Sequence, residues 1–367
     1  MAVNDILKIR FDSIYNLPFT CSDNLRIIMI LKGCINVEFI SGSAKYKQHF
    51  IDIIGINEPI KMSSSDRDNF VMTIEVNKEF IKEFYPDIEY SIFNCNNLRL
   101  FYNSKDTSNY LNEFRRRITE ILYIYMENGF ECSLALETKV KENVLYAIEK
   151  FDNVRSSFNS NNGDDVYIDR FKRIDLYFMK NITDKITLKD IANQEYLNEN
   201  YLSNEFTNRL NKSFSEILSY YRIRYSIKYL LNSQLSIDMI CYECGYTTKK
   251  YYYKHFKRYI GCTPKEFQNE NKQEVTAGIN YNNVSVSDKE LKYEIDSLIS
   301  IYINKNKVSS VITAERIIEN MNMVICKIMR EKPSQIIIEL GEPDRLTDIV
   351  EFVKIMKQQN IKIEIKM

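Results

Sequence analysis

The chain divides into blocks that differ in the period of their apolar positions. From Leu25 to Val76 the period is two: Ile35, Val37 and Phe39 alternate with Asn36 and Glu38, and Phe70, Met72, Ile74 and Val76 alternate with Val71, Thr73 and Glu75. Successive side chains of a strand point to opposite faces, so this pattern, punctuated by Gly33 and Ser41-Gly42-Ser43, predicts an antiparallel sheet or small barrel. Leu111, Phe114, Ile118, Ile121, Leu122 and Tyr125, then Val140, Val144, Ile148 and Phe151, recur at helical spacing and predict two amphipathic helices, over 107–127 and 136–151. Beside a barrel too small to cover them, their apolar stripes are expected to form a dimer interface.

The run from Ser156 to Asp165 holds almost nothing to bury, and residues 156–168 are expected to be a linker. Beyond it, helix starts recur. Thr187-Leu188-Lys189-Asp190 and Ser213-Phe214-Ser215-Glu216 have capping-box spacing, which satisfies backbone N–H groups that a first helical turn leaves open. Thr263-Pro264-Lys265-Glu266 adds proline at the first helical position. Residues 169–272 are therefore expected to be an all-α domain of about seven helices, one of them running from Phe214 to Leu231, about 27 Å.

A polar stretch from Gln273 to Asp288 precedes the last block, 285–367. There Ile317, Ile318, Met321, Val324, Ile325 and Ile328 mark a helix, Ile336-Ile337-Ile338 a buried strand, and Leu346, Ile349, Val350 and Val353 another helix. Ile361, Ile363 and Ile365 then alternate with Lys362, Glu364 and Lys366 as a final strand, completing one βαβ unit. The chain stops on that strand, so the block is expected to be either a small accessory piece or part of a longer protein. The expected fold class is multidomain α+β: an antiparallel β-barrel with two helices over 1–155, the helical domain, and a small α/β accessory segment.

Composition narrows the function. The 367 residues include 50 basic and 50 acidic groups, so a preference for nucleic acid has to come from local segregation of charge. Residues 170–270 show it, with 17 Lys/Arg against 11 Asp/Glu, a net of +6 in a chain that sums to zero. The N-terminus does not read as a signal peptide and no apolar run is long enough to span a bilayer, so a cytoplasmic protein without membrane contact is expected. The wealth of Asn, Ile, Lys and Tyr suggests an AT-rich bacterial genome. With only two histidines, His49 and His255, His-based acid–base chemistry and metal enzymes are disfavoured, and neither catalysis nor a cofactor is expected. Cys241-Tyr242-Glu243-Cys244 with His255 and Cys262 admits a zinc reading, but buried thiols acting as small hydrophobes fit the positions better.

The most segregated stretch, Gly245 to Gly261, sets tyrosines among five Lys/Arg with no acid. On a helix from about Thr247 to Tyr259, Tyr252, Phe256 and Ile260 form an inward stripe, while Lys249, Lys250, Tyr253, Lys254 and Lys257 project outward. A short apolar helix holding Ile237, Ile240 and Cys241 precedes it, closed by Gly245. Helix, tight turn and basic second helix is the arrangement that places its second helix in the major groove.

At these residues the chain resembles a family. SIDMICYECGYTTKKYYYKHFKRYIGCTPKEF, Ser236 to Phe267, is similar to the second helix-turn-helix of AraC/XylS-type transcription regulators, through Ile240-Cys241, Gly245-Tyr246, Tyr251-Tyr252, Phe256-Lys257 and Gly261-Cys262-Thr263-Pro264. TLKDIANQEYLNENYLSNEFTNRLNKSFSEIL, Thr187 to Leu218, resembles the first, with Ile191-Ala192 in its buried helix and Tyr201-Leu202-Ser203 with Phe206 in its recognition helix, although Glu199 and Glu205 stand there in place of basic residues. Asn200, Ser203 and Asn204 face outward from that helix, and Arg222 and Arg224 join the lysines as phosphate candidates. The resemblance implies sequence-specific binding of double-stranded promoter DNA, a homodimer and RNA polymerase as a further partner. Domain order and Ile30-Leu31-Lys32-Gly33 at a strand end make the N-terminal block resemble the cupin-like sensing half of the same regulators, which implies a small-molecule effector. The alternatives are control by a protein partner through the C-terminal segment, or an enzyme with its site in the barrel or tail. Some regulators of this type carry a glycoside-hydrolase-like barrel, but Glu339 and Glu364 lie in a single βαβ unit, which cannot close an eight-stranded barrel.

Overall fold

Alternation becomes pairing in the first block. Eight strands form there: β1 (Leu7–Asp12), β2 (Asn16–Thr20), β3 (Leu25–Lys32), β4 (Cys34–Phe39), β5 (Gly42–Lys47), β6 (Ile51–Ile54), β7 (Ile60–Ser63) and β8 (Phe70–Val76). They build two four-stranded antiparallel sheets, ordered β1-β8-β3-β6 and β2-β7-β4-β5. Ile35, Val37 and Phe39 turn inward and meet Ile28, Ile30, Ile54 and Val71 of the other sheet in one core. A shared apolar interior is what two half-apolar sheets require. β8, paired on both edges by β1 and β3, is buried on both faces, so Val71 and Thr73 are inside as well as Met72 and Ile74.

This computed structural model describes residues 6–66, 68–95, 108–128, 133–152, 165–276, 288–303, 309–313, 325, 335–339, 352–357 and 362–366. The chain separates into two compact units, Met1–Glu294 and Ile295–Met367.

After the strands come α1 (Lys78–Lys82), α2 (Ser108–Glu127) and α3 (Leu134–Phe151). The stripes of α2 and α3 were expected to stand uncovered for a dimer partner, and the structure corrects this. Phe114, Ile118, Ile121 and Leu122 are buried within the chain, as are Val140, Val144, Ala147 and Phe151, with the Phe114 ring 5.2 Å from that of Phe151. Each helix covers the other's stripe.

Seven helices follow: α4 (Asp165–Lys180), α5 (Leu188–Gln194), α6 (Glu199–Leu210), α7 (Phe214–Asn232), α8 (Ile237–Glu243), α9 (Lys249–Ile260) and α10 (Pro264–Thr276). Both capping boxes form, Thr187 with Asp190 and Ser213 with Glu216, and Glu266 closes a third across Pro264 onto Thr263. The first half of α7 gives Ile217, Leu218 and Tyr221 to a core with Phe171, Phe178, Ile191, Leu202 and Phe206. Its second half gives Ile223, Ile227 and Leu230 to a core with Ile240, Cys241, Tyr252, Phe256 and Phe267. One helix is thus the common wall of two small cores.

The β-sandwich is attached to this helical block. Glu58, between β6 and β7, pairs with Arg224 of α7. The Phe19 N–H donates to Asn271 Oδ1 at 3.0 Å, and Asn232 Nδ2 donates to the Cys21 carbonyl at 3.0 Å. α11 (Asp288–Tyr302) follows.

In the second unit β9 (Ser309–Thr313), β10 (Gln335–Glu339) and β11 (Lys362–Lys366) form a parallel sheet ordered β11-β10-β9. Residues 352–357 are helical, with Phe352 and Met356 buried. β9 adds a strand that the sequence reading did not contain. Of the helix expected over Ile317–Ile328 only Ile325 is described, and it is helical; of that expected over Leu346–Val353 the described part, from Phe352, is helical and the rest lies outside the described residues.

Candidate nucleic-acid interface

Gly245 makes the second helix pair possible. Its φ of +73° suits glycine, and a Cβ there would stand 2.7 Å from the Ile182 carbonyl oxygen and 2.8 Å from the Arg222 guanidinium. The chain turns and α9 begins at Lys249, ending at Gly261 in the left-handed conformation that stops a helix. Tyr252 and Phe256 are wholly buried, which fixes the helix phase, and Lys249, Lys250, Lys254 and Lys257 are exposed as that phase requires. Tyr253 is half-buried, its ring edge-on to Tyr252.

The cations of α9 divide into two groups. Lys249 pairs with Asp238, a bond that raises its pKa, and Arg258 pairs with Glu216. Lys250, Lys254 and Lys257 make no ion pair among the described residues. Three lysines on one exposed helix face, none of them held in an ion pair among the described residues, form a surface that a polyanion can neutralise.

In the first helix pair, Ile191 and Ala192 of α5 and Leu202 and Phe206 of α6 are buried. Asn200, Ser203 and Asn204 are exposed on α6, beside Tyr201. Glu205 had counted against this helix as a surface for phosphate. It points inward instead, with only 6% of its side chain exposed, and Arg170 Nη1 contacts both its oxygens at 2.6 and 2.5 Å. Glu199 remains on the outer face.

Arg222 and Arg224, expected to meet phosphate, are engaged within the protein. Arg224 is taken up by Glu58, and Arg222 donates to the Asp184 carbonyl at 2.8 Å while lying over the Tyr246 ring. Tyr251, which the sequence marks only as a landmark of the resemblance, is exposed on α9 next to the buried Tyr252. Its position one residue off the apolar stripe was the available signal.

Cys241 and Cys244 sit in the second core, where burial pushes both thiols up. His255 Nδ1 lies 3.1 Å from the Tyr246 hydroxyl, and burial followed by Lys254 and Arg258 lowers its pKa. Among the described residues no group of three or more His, Cys, Asp or Glu converges as metal ligands. Nor is any described helix long and apolar enough to cross a membrane.

A family model described as "Helix-turn-helix domain" matches residues 191–270, spanning α5 to α10. The helical block of this chain thus carries a helix-turn-helix domain over residues 191–270. The chain is similar to the HTH-type transcriptional activator FapR of Escherichia coli, 27% identical over 133 residues, which are 36% of this chain and 46% of FapR. It is also similar to the porin thermoregulatory protein EnvY of Escherichia coli K12, 30% identical over 88 residues, covering 24% of this chain and 34% of EnvY. The chain thus spans about half the length of these curated relatives, or less. Among solved structures it resembles ToxT from Vibrio cholerae at 15% identity and a TM-score of 0.39, over 72% of this chain and 98% of that one.

Beside this helix-turn-helix domain, where α7 meets the sandwich, lies a cavity of about 870 Å³. Arg10, Asp12, Arg26 and Glu75 line it from the first sheet, and Lys228 and Tyr229 from α7. Arg26 is 6% exposed; it donates to Thr20 Oγ1 at 3.2 Å and the Glu58 carbonyl at 2.9 Å, while its Nε has no partner. Burial lowers the Arg26 pKa and pushes that of Cys21, on the same wall, up to about 12.

Proposed function

We propose that this chain is a sequence-specific transcription regulator that engages promoter DNA with both helix-turn-helix pairs and is controlled by a small molecule in the α7 cavity. The observation that carries the first part is the face of α9 on which Lys250, Lys254 and Lys257 stand exposed, with no ion pair among the described residues. Lysine donates to guanine edges and to phosphate, and Tyr253 and Lys249 border the same face. Asn200, Ser203 and Asn204 of α6 supply the other reading surface, asparagine being suited to adenine.

The cavity supports the second part because it mixes cationic, acidic and apolar groups and is bounded on one side by the helix that both pairs share. A polar molecule seated there touches the sandwich and α7 together. The functional division we propose is a sensing domain over 1–155, a DNA-binding domain that starts with α4 at Asp165, four residues inside the linker expected over 156–168, and runs to 272, and an accessory segment over 285–367, in a cytoplasmic protein. For a homodimer, Tyr123 of α2 and Leu134 and Leu145 of α3 are large apolar side chains left exposed for a second copy.

The test is to incubate the purified chain with fragmented bacterial genomic DNA of AT-rich composition and a randomised duplex library, and to sequence what is retained. A short recurring motif is expected. Retention without any motif would leave only unspecific binding to DNA and overturn the reading.

A further inference from the structure

We infer that Arg222 is a positioning residue that fixes the spacing at which the two helix-turn-helix pairs read DNA. The inference rests on the proposal that both pairs engage DNA.

Two segments meet at this side chain of α7. Its Nη2 donates to the Asp184 carbonyl at 2.8 Å, in the loop between α4 and α5 that leads into the first pair. Its guanidinium lies over the ring of Tyr246, in the turn of the second pair, with Cζ 5.7 Å from the ring centre. Tyr246 is buried and its hydroxyl lies 3.1 Å from His255 Nδ1 of α9, so the contact extends to the second recognition helix. The turn itself comes so close to the first pair that a Cβ on Gly245 would stand 2.7 Å from the Ile182 carbonyl oxygen.

The chemistry fits a brace better than a phosphate ligand. Arg222 makes no ion pair among the described residues, and burial lowers its pKa. Its fork is directed to a carbonyl and an aromatic face, contacts that fix direction through geometry. α7 joins the two cores along one rod and Tyr259 of α9 packs against both, so the contacts around the rod decide how far each pair could still roll. A contact from the α4–α5 loop through Arg222 to Tyr246 and α9 opposes that rolling. Two recognition helices held this way meet successive major-groove faces only when their half-sites lie about one DNA turn apart, roughly 34 Å.

The experiment uses the full chain and duplexes it selects from a randomised library, with the half-sites mapped by footprinting. Two base pairs are then inserted between the half-sites, turning one relative to the other by about a fifth of a helical turn. Wild type is expected to lose about tenfold or more in affinity. Arg222→Met, which keeps the packing over Tyr246 but not the donor, should lose less than about threefold on insertion while binding the original duplex more weakly. Tyr246→Phe keeps the ring under Arg222 and removes the hydroxyl's contacts with His255 and the Ser219 carbonyl, and should give an intermediate penalty. The inference is overturned if Arg222→Met and Tyr246→Phe keep the wild-type penalty, or if wild type shows none. A phosphate role would appear differently, as a salt dependence flattened by about one counterion with the spacing penalty intact, and that too overturns it. If no duplex is enriched, it is the DNA reading itself that fails.

Discussion

The Arg224 guanidinium closes on the Glu58 carboxylate between α7 and the β-sandwich, with 13% and 5% of their side chains exposed. Arg26 donates to the Glu58 carbonyl from the wall of the cavity, so cavity, loop and shared helix are joined by consecutive contacts. Removing one member of a buried pair leaves the other charged and unsolvated. Glu58→Ala should therefore cost about 3 to 5 kcal/mol of stability. Adding Arg224→Ala should recover part of that loss, measured by urea unfolding as a double-mutant cycle. Strict additivity of the two losses would mean that the pair is not coupled.

The Glu216 carboxylate accepts from the Ser213 backbone and hydroxyl and pairs with Arg258, which holds its pKa at about 2 against an ordinary 4.5. The backbone bond of the cap is the largest cause. A folded pKa below the unfolded one gives stability that is present above pH 4.5 and lost as pH falls towards 2. Melting temperature followed through that window should fall less steeply in Glu216→Gln than in wild type. Parallel profiles would remove Glu216 from the account of α7.

Phe256 is wholly buried among Tyr252 and Phe267, whereas Tyr253 is half-buried at the rim of the same helix. Phe256→Ala should cost about 3 to 5 kcal/mol. Tyr253→Ala should cost about 1 kcal/mol or less yet weaken DNA binding. Thermal unfolding with a binding titration checks both, and the reverse ranking would mean that α9 is phased otherwise.

The helical block was legible because its signals are local. Caps at Thr187, Ser213 and Thr263 and the stripe Tyr252–Phe256 each need only a few neighbouring residues, and each is found where expected. Besides β9, two strands of the N-terminal block escaped, for different reasons. β1 does alternate, Leu7, Ile9 and Phe11 against Lys8, Arg10 and Asp12, but is short and lies before the region read as sheet. β2 carries Pro18 and shifts register against β7, so its pattern is broken. The fates of Arg222, Arg224 and Glu205 depend on Asp184, Glu58 and Arg170, which are 35 or more residues away in sequence. Helical phase says which way a side chain leaves its helix; it cannot say what meets it there.

Lys254 and Lys257 are both exposed on α9, with Lys254 nearer the N-terminal end that enters a groove in helix-turn-helix docking. Lys254→Ala should cost about 1 to 3 kcal/mol on the preferred duplex and relax the choice of base at one position. Lys257→Ala should weaken all duplexes alike and flatten the salt dependence by about one counterion. Titration against single-base variants at two salt concentrations distinguishes them. Uniform losses in both would leave base reading to Asn200, Ser203 and Asn204 or to DNA shape.

The most direct test of DNA recognition through α9 is the affinity of the full chain for its selected duplex as a function of salt. Each phosphate neutralised by a lysine releases counterions, so the logarithm of affinity should fall linearly with that of salt concentration, with a slope of about −3 or steeper. Replacing Lys250, Lys254 and Lys257 together with alanine should flatten the slope by about three, with little loss of stability because all three are exposed. A flat salt dependence in wild type, or a slope that the triple substitution leaves unchanged, would contradict it.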